Sequence, residues 1–534
     1  MATTASAESP TTQLDPTRWR ILSVGLVGAF MVMFDESMMN AILPSMQVSL
    51  HMSSSQVVWA TAGFSLAGAV FLVPAGRLGD DFGRRRMFII GMILFVLFTA
   101  SCALAPNGDW LVASRFAMGI AGAMVIPQIV GLVQQLFGGR ERARAFGVYA
   151  ALVAASTAWG PLLAGRIIVV AGEHNGWRWV FAVGLPFSLL SLALGYWRLP
   201  KVQQTRLAES GTSGTSGTGR AGGTGRYAWR GQDPIGMVLL AAALVCIVLP
   251  LAENGDDGVT PPWWTMGVGG VLLVAFLLWE RSLDQRGELP MVRPRLLALP
   301  SFFFSFATSL LVYMAFPPIL ILLQLYFQMG LHYTAWHSSM VTILFPIGSL
   351  IGALVSGRIV PRFGRRMVVV GCLMMGTGLA VAASLTTNYD GSNIAWLLAP
   401  ALLVCGLGAG CVISCNQSLG LHDIPRSESS MAGGSYQLGV RIGASIGIPI
   451  ATSAYFSEVA SSHGNFGDAA GAGLLVPTIS AFGAAVFAAI GLFVTKQWGS
   501  RDAQEHAAPG LLKAAAPVAP GAPASLNARK ETTS

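Results

Sequence analysis

Two neighbouring acidic residues, Asp35 and Glu36, lie deep inside a long apolar run near the start of the chain. A carboxyl group is costly to place in a membrane, so one found there is a candidate functional group. A carboxyl in a cavity between two aqueous sides can take up a proton on one side and release it on the other. The two side chains point about 100° apart on a helix, so only one of them need face a cavity. The sequence leaves open which of them carries the proton.

Arg115, within a later apolar run, is predicted to lie at nearly the same membrane depth as Asp35. At about 1.5 Å per residue, counted from the ends of their two runs, the depths differ by only about 5 Å. We therefore predict a contact between Asp35 and Arg115, direct or through water, that proton binding breaks. The alternative is a static ion pair that stabilises the helix bundle.

The composition places these residues in a membrane protein. Hydrophobic residues make up 53% of the 534 residues and charged residues only 11%, whereas soluble domains carry about 25% charged residues. The net charge of +8 is attributed to membrane topology, so we predict no nucleic-acid partner. The sequence contains no Walker sequence for ATP and no catalytic or metal-ligating cluster, so we expect no enzymatic activity, no metal and no cofactor other than coupling protons.

Apolar runs long enough to cross a bilayer occur about fourteen times. With the N-terminus placed inside, nearly all of the 33 Lys and Arg residues fall in inside segments, as the positive-inside rule requires. We therefore predict a multi-pass protein of the cell membrane with both termini in the cytoplasm. The predicted spans are 20–43, 57–77, 87–105, 110–137, 145–171, 178–197, 234–252, 263–280, 302–328, 335–357, 367–386, 395–420, 429–456 and 474–495.

The chain contains an internal repeat. GRLGDDFGRRR at 76–86 follows the second span, and GRIVPRFGRR at 357–366 follows the tenth. We therefore predict two related six-helix bundles with two further helices inserted between them. The predicted units are a cytoplasmic tail (1–19), the N-terminal bundle (20–197), a flexible cytoplasmic linker (198–232), the two inserted helices (233–281), a cytoplasmic connector (282–299), the C-terminal bundle (300–496) and a disordered tail (497–534).

The first copy of the repeat is predicted to act as a gate. Its glycines permit a tight turn, and Asp80 could pair with an arginine across the bundle or cap a helix. Such contacts would hold the cytoplasmic side of the helix bundle closed, whereas the alternative interpretation is that the arginines serve topology alone. The gating-loop residues are Gly76, Asp80, Gly83, Arg84 and Arg85.

The fifth span contains Gly160 and Pro161, followed by Gly165. Proline bends a membrane helix, and small residues allow close packing. A bent and tightly packed helix could seal the two bundles against leakage. Ordinary small-residue packing is the alternative.

Flexible, aromatic and amide side chains in several spans could line a mainly hydrophobic binding cavity. Packing against other helices or against lipid is the alternative for each of them. The predicted cavity residues are Met38, Met39, Trp159, Tyr313, Gln324, Asn416, Tyr436 and Gln437.

These motifs resemble the fourteen-helix drug:proton antiporter branch of the major facilitator superfamily, over nearly the whole chain. FDESMMNAILP at 34–44 is similar to the first-helix signature of that branch, and the gating-loop residues match the loop signature of the superfamily. Arg115 resembles the fourth-helix arginine motif, STAWGPLLAG at 156–165 resembles the fifth-helix signature of exporters, and Arg441 matches a late-helix arginine motif. Ser156 stands where the family usually has glycine, and Glu36 where it usually has an uncharged residue.

The resemblance implies an all-α membrane protein with the major facilitator fold. It implies a proton-coupled antiporter that exports hydrophobic small molecules, such as drugs or antibiotics, by alternating access. Asp35, Glu36 and Arg115 are then the proton-coupling residues, and the partners are the substrate, protons and the lipid bilayer, with a monomer sufficient. An uptake facilitator or metabolite transporter is one alternative, and a membrane receptor or enzyme on a transporter scaffold is another.

Overall fold

The computed structural model describes residues 16–514 with the exception of 138, 173, 200–232, 255–259, 289, 390, 392, 422–423 and 425–428. The described residues form helices and contain no strand. The prediction of an all-α fold is therefore confirmed. The predicted linker falls outside the described residues from 200 to 232, as do the first fifteen residues and those from 515 onward.

Long helices occur close to all fourteen predicted spans. Span nine is α10 followed by a π-helical turn at Tyr326–Gly330, and span ten is interrupted at Ile343 between α11 and α12. The N-terminal bundle contains α1 (Pro16–Ser49), α2 (Ser54–Phe82), α3 (Arg84–Ala103), α4 (Gly108–Leu136), α5 (Gly139–Ala171) and α6 (Gly176–Arg198). The inserted helices are α7 (Pro234–Glu253) and α8 (Trp264–Gln285), followed by the short α9 (Pro294–Leu297). The C-terminal bundle contains α10 (Pro300–Leu325), α11 (Ala335–Thr342), α12 (Leu344–Phe363), α13 (Arg366–Asn388), α14 (Ile394–Gly420), α15 (Ser429–Ser461) and α16 (Phe466–Ala514).

Among the described residues, 13 helical segments are long and apolar enough to cross a membrane, and α15 is not one of them. The reason lies in its position. No residue of α15 from 432 to 459 is exposed, because α15 is enclosed by α2, α7, α10 and α16. A helix surrounded by other helices does not need an apolar surface for lipid, and it can carry polar residues such as Ser435, Arg441 and Ser445.

The helices of the two bundles pack in the same order. In the N-terminal bundle α4 packs against α2 and α3, α6 packs against α3, and α1 packs against α5 and α6. In the C-terminal bundle α14 packs against α12 and α13, α16 packs against α13, and α10 packs against α15 and α16. The repeated sequence at 76–86 and 357–366 is thus accompanied by a repeated packing arrangement. The inserted α7 packs against α8, α2 and α15.

Arginines near several helix termini lie at one end of the bundles, which we call the arginine-rich end. The guanidinium of Arg18 donates to the Leu136 carbonyl, that of Arg85 to the Tyr196 carbonyl, and that of Arg365 to the Ser301 carbonyl. These bonds join the start of α1 to the end of α4, the start of α3 to the end of α6, and the start of α13 to the start of α10. The charge pattern of the sequence is therefore segregated to one end, and which side of the membrane that end faces stays a prediction.

The last helix extends past the predicted end of the C-terminal bundle. The helix α16 continues to Ala514, beyond the predicted boundary at 496. The segment RDAQEHAA at 501–508 consists largely of residues with good helix propensity, so an existing helix extends through it at little cost.

Glycines allow α12 and α14 to meet backbone to backbone. A Cβ atom at Gly410 would lie 1.9 Å from the Ser349 carbonyl oxygen, and one at Gly406 would lie 2.0 Å from the Phe345 carbonyl oxygen. Real Cβ atoms do not approach carbonyl oxygens this closely. The two helices can therefore adopt this spacing only because both positions lack a side chain.

We expect Gly410→Ala to destabilise the protein, because the added methyl group forces α12 and α14 apart. Overpacking of this kind costs about 1–3 kcal/mol, and it should lower the thermal unfolding temperature of the detergent-purified protein by several degrees. Gly184→Ala is the matched control, since a Cβ at Gly184 meets nothing within 4 Å. Equal unfolding temperatures for the two variants would contradict the close helix contact.

Candidate functional site

Asp35 and Arg115 form a buried ion pair between α1 and α4. An Arg115 Nη donates to Asp35 Oδ2 over 2.8 Å. Only 4% of Asp35 and 1% of Arg115 are exposed. The sequence-based estimate of equal depth therefore agrees with a direct contact in this structure.

Further contacts anchor the Arg115 side chain to α2. Its Nε donates to the Ala60 carbonyl over 3.3 Å, and its guanidinium carbon lies 4.6 Å from the centre of the Phe64 ring. A cation over an aromatic face is stabilised by the ring quadrupole. Arg115 thus ties α1, α2 and α4 together within the N-terminal bundle.

Glu36 and Arg441 form a second ion pair, and this one joins the two bundles. An Arg441 Nη lies 3.1 Å from one carboxylate oxygen of Glu36 and 3.2 Å from the other. Glu36 belongs to α1 and Arg441 to α15, so the pair links residues 405 positions apart. The sequence singled out both residues and did not predict that they meet.

The two ion pairs start from adjacent residues of α1 and differ in their surroundings. The Glu36 side chain keeps 31% of its surface exposed, against 5% for the Asp35 side chain. The helical rotation between neighbours directs Asp35 into its own bundle and Glu36 toward the other. One pair therefore lies within a rigid unit, and the other lies between two units.

Pro161 explains a polar contact between α1 and α5. Proline has no N–H, so the carbonyl of Thr157, four residues earlier, loses its helical donor. The Ser37 hydroxyl donates to this carbonyl over 3.0 Å. A Cβ at Gly160 would lie 2.7 Å from Ser37 Oγ, so the glycine permits the approach that the hydrogen bond requires.

The same part of α5 also contacts the C-terminal bundle. The Ser339 hydroxyl of α11 donates to the Pro161 carbonyl over 2.9 Å. A Cβ at Gly165 would lie 2.5 Å from the Ala335 carbonyl oxygen. Gln328 adds a hydrogen bond to the Ala41 carbonyl of α1, over 3.0 Å. These contacts hold the bundles together on the side of the ion pairs away from the arginine-rich end.

The gating-loop residues form a compact joint between α2 and α3. Gly83 has a φ of +96°, a conformation that favours glycine. Asp80 pairs with Arg84, one turn later, over 2.6 Å, whereas the sequence analysis proposed a pair across the bundle or a helix cap. Arg85 lies 5.7 Å from the Tyr196 ring centre, and a Cβ at Gly76 would lie 3.6 Å from the Pro127 Cβ, an ordinary contact distance.

Three aromatic rings form a wall beside the Glu36–Arg441 pair. The Phe316 ring lies 5.9 Å from the Tyr313 ring and 5.2 Å from the Phe345 ring, measured between centres. Tyr313 is within electrostatic range of both Arg441 and Glu36. We call Tyr313, Phe316 and Phe345 the aromatic wall. It adjoins the charged pair at Tyr313, and Phe345 is fully buried whereas the other two rings are half-buried.

Several predicted cavity residues have packing contacts instead of open space. Gln324 is buried and bonded to Thr342, Ser338 and Gln328. Asn416 donates to the Ser305 carbonyl over 2.7 Å and lies 3.4 Å from the Tyr436 hydroxyl. Met38 and Met39 belong to the buried hydrophobic core, and Gln437 is half-buried on α15.

Trp159 is separated from these residues. It is 65% exposed and shares a helix face with Leu163 and Val170, which are also exposed. Spacings of four and eleven residues place all three on one side of α5. An apolar exposed stripe is the surface that a membrane helix presents to lipid, so the structure does not support the predicted cavity position of Trp159.

Known proteins resemble this chain over most of its length. A family model described as Major Facilitator Superfamily matches residues 25–448. The tetracenomycin C resistance and export protein of Streptomyces glaucescens is 30% identical over 83% of this chain and 77% of its own length. The puromycin resistance protein pur8 of Streptomyces alboniger is 30% identical over 83% of this chain and 84% of its own. The probable actinorhodin transporter of Streptomyces coelicolor is 28% identical over 83% and 73%.

Solved structures share the fold at low sequence identity. An auto-inhibited peptide transporter of the POT family superposes with a TM-score of 0.61 at 17% identity, covering 89% of this chain and 97% of its own. The xylose transporter XylE from E. coli gives a TM-score of 0.58 at 12% identity, with 89% and 97% covered. The packing, the motifs and the family match agree: this chain is a multi-span membrane protein that belongs to the Major Facilitator Superfamily.

Proposed function

We propose that this chain exports hydrophobic small molecules, of the kind used as drugs or antibiotics, in exchange for protons. The names of its relatives refer to antibiotic resistance, export or transport. We place the protein in the cell membrane with the arginine-rich end in the cytoplasm, following the positive-inside rule. One chain contains both bundles and both ion pairs, so a monomer suffices.

The observation that carries the proposal is the Glu36–Arg441 ion pair between the bundles. Alternating access requires the two bundles to rock against each other, and this motion must separate groups that bridge them. Protonation of Glu36 removes its charge and with it the electrostatic part of the bridge. Proton binding then changes the relative stability of two bundle arrangements, which is what coupling requires.

The two carboxyl groups have different roles in this proposal. Asp35 is enclosed with Arg115, and breaking a buried ion pair by removing one charge costs about 3–5 kcal/mol. Glu36 is about one-third exposed, so it can exchange a proton with water. We therefore assign proton exchange to Glu36 and the positioning of α1 and α4 to the Asp35–Arg115 pair.

Tyr313 and Phe316 of the aromatic wall, which are half-buried, provide a surface for the substrate. Aromatic faces bind apolar molecules without fixed hydrogen-bond geometry, which suits exported compounds of varied structure. Because Tyr313 is within electrostatic range of Arg441 and Glu36, a molecule bound at the wall changes the solvation of the ion pair. Substrate and proton then act on the same contact between the bundles.

We expect Glu36→Gln to abolish substrate-driven proton movement while the protein remains folded, because the amide oxygen still accepts from Arg441. In inverted vesicles with an acidic interior, added substrate should dissipate the pH gradient when the unaltered protein is present. In vesicles that contain the variant, this dissipation should be at least about tenfold slower. Asp109→Asn is the control, since Asp109 bonds Gln56 away from the ion pairs. Unchanged proton movement in Glu36→Gln would exclude Glu36 as the exchanging group.

We expect Asp35→Asn to act first on stability, because it leaves Arg115 as a buried cation without its counter-ion. The loss should approach about 3–5 kcal/mol, visible as a lower thermal unfolding temperature of the purified protein. The double change Asp35→Asn with Arg115→Met should recover much of this loss. A single variant as stable as the unaltered protein would show that Asp35 is not the partner that neutralises Arg115.

We expect Tyr313→Ala to change which compounds are exported, because it removes one ring of the aromatic wall. Susceptibility of cells expressing each variant to a panel of hydrophobic antibiotics should shift several-fold for some compounds. Phe493→Ala is the matched control, since Phe493 is an exposed aromatic on α16. An identical susceptibility profile for Tyr313→Ala and the unaltered protein would remove the wall from the substrate site.

A further inference from the structure

The two inserted helices contain a pair of buried carboxyl groups that the proposed transport cycle does not use. Asp233 immediately precedes α7 and is 5% exposed, and Glu280 near the end of α8 is 0% exposed. Their burial is comparable with that of Asp35. None of the sequence motifs described above lies in this part of the chain.

Each of the two carboxyl groups uses one oxygen as a hydrogen-bond acceptor. Asp233 Oδ1 accepts from the Gly236 N–H over 2.9 Å and from the Trp279 indole N–H over 2.8 Å. Glu280 Oε2 accepts from the Val292 N–H over 3.0 Å. These donors fix the orientation of both side chains.

The other two oxygens, Asp233 Oδ2 and Glu280 Oε1, are buried and receive no hydrogen bond within the described part of the chain. Both point into the space beside Gly236, where a Cβ would lie 2.0 Å from Asp233 Oδ2 and 2.9 Å from Glu280 Oε1. The two carboxyl groups are within hydrogen-bonding range of each other. Two ionised carboxylates in this arrangement repel, whereas one shared proton converts the repulsion into a hydrogen bond.

The carboxyl pair belongs to a network of charged side chains. Glu280 and Asp233 interact electrostatically with Arg77 of α2, which also interacts with Asp81 of α2 and Arg293 of the connector. Asp284, one turn beyond Glu280 on α8, is paired instead with Arg295 over 2.9 Å.

A proton suits this site better than a metal ion. Within the described residues, no group of three or more His, Cys, Asp or Glu side chains could hold a metal. Hard cations need about six oxygen ligands, and the two unused oxygens supply only two. A hydrogen bond between two carboxyl oxygens needs only the proton.

We propose that Asp233 and Glu280 form a second protonation site that holds one shared proton and links the inserted helices to the gating loop. Arg77 provides the link: it interacts with both carboxyl groups and donates to the Pro290 carbonyl in the connector. Arg77 also follows Gly76 directly in the gating loop. Loss of the proton strengthens the attraction of the pair for Arg77, so the protonation state changes how firmly the end of α2 is held.

Infrared difference spectroscopy of the full-length protein in lipid tests the shared proton. At neutral pH, the spectrum of the unaltered protein minus that of Glu280→Gln should contain the C=O stretching band of a protonated carboxylic acid, shifted in D₂O. The same difference with Asp284→Asn should lack the band, because Asp284 is an ion-paired carboxylate. A carboxylate signal alone in the Glu280→Gln difference would mean that both acids are ionised and would overturn the proposal.

Thermal unfolding against pH provides a second readout that does not depend on transport. Stability should fall as the pH rises through the range in which the shared proton leaves, since the two carboxylates then repel in the folded state. The amide introduced by Glu280→Gln can donate to Asp233 in place of the proton. The unfolding temperature of this variant should therefore stay nearly constant over the pH range in which that of the unaltered protein falls by several degrees. Parallel pH profiles for the two proteins would overturn the shared proton, whatever the outcome of the Glu36 experiment.

Discussion

The structure depends on the cost of burying charge in a protein that is surrounded by lipid. Each buried charged group needs a partner, because an isolated ion in a low-dielectric environment is unstable by many kcal/mol. At the centre of α1, Arg115 meets this requirement for the buried Asp35, and Arg441 pairs with the adjacent Glu36, which is about one-third exposed. The first pair joins α1 and α4 within the N-terminal bundle, and the second is one of the contacts that join the two bundles.

The backbone contacts of α5 complement these ion pairs. Pro161 leaves the Thr157 carbonyl without a helical donor, and this carbonyl accepts a hydrogen bond from Ser37 of α1. The Pro161 carbonyl accepts a hydrogen bond from Ser339 of α11. Gly160 and Gly165 permit the close approach on the two sides. A single stretch of α5 therefore contacts both bundles with neutral hydrogen bonds, next to a charged contact that a proton can change. In our proposal, the neutral contacts of α5 stay in place while the charged contact responds to protonation.

The inserted helices extend the same constraint to a third place. Asp233 and Glu280 each keep one buried oxygen that receives no hydrogen bond from the described residues, and these two oxygens lie beside the same glycine. In our proposal a shared proton neutralises one of these two carboxyl groups, as Arg115 neutralises Asp35 of α1. The pair adjoins α2 through Arg77, so the inserted helices contact the bundle at the joint that leads into α3.

The sequence alone determined the class of the protein, the positions of its helices and the residues worth examining. These properties follow from local composition, because a span must be apolar over its own length and a turn needs its glycine at its own position. The Asp35–Arg115 contact was also predictable, since depth along a helix can be counted in residues. Only the tertiary structure decided which side chains from different helices lie together, as Glu36 does with Arg441 and Asp233 with Glu280. It also decided that Trp159 lies on the exposed stripe of α5. Depth is encoded along one helix, whereas rotation and lateral neighbours depend on the packing of helices hundreds of residues apart.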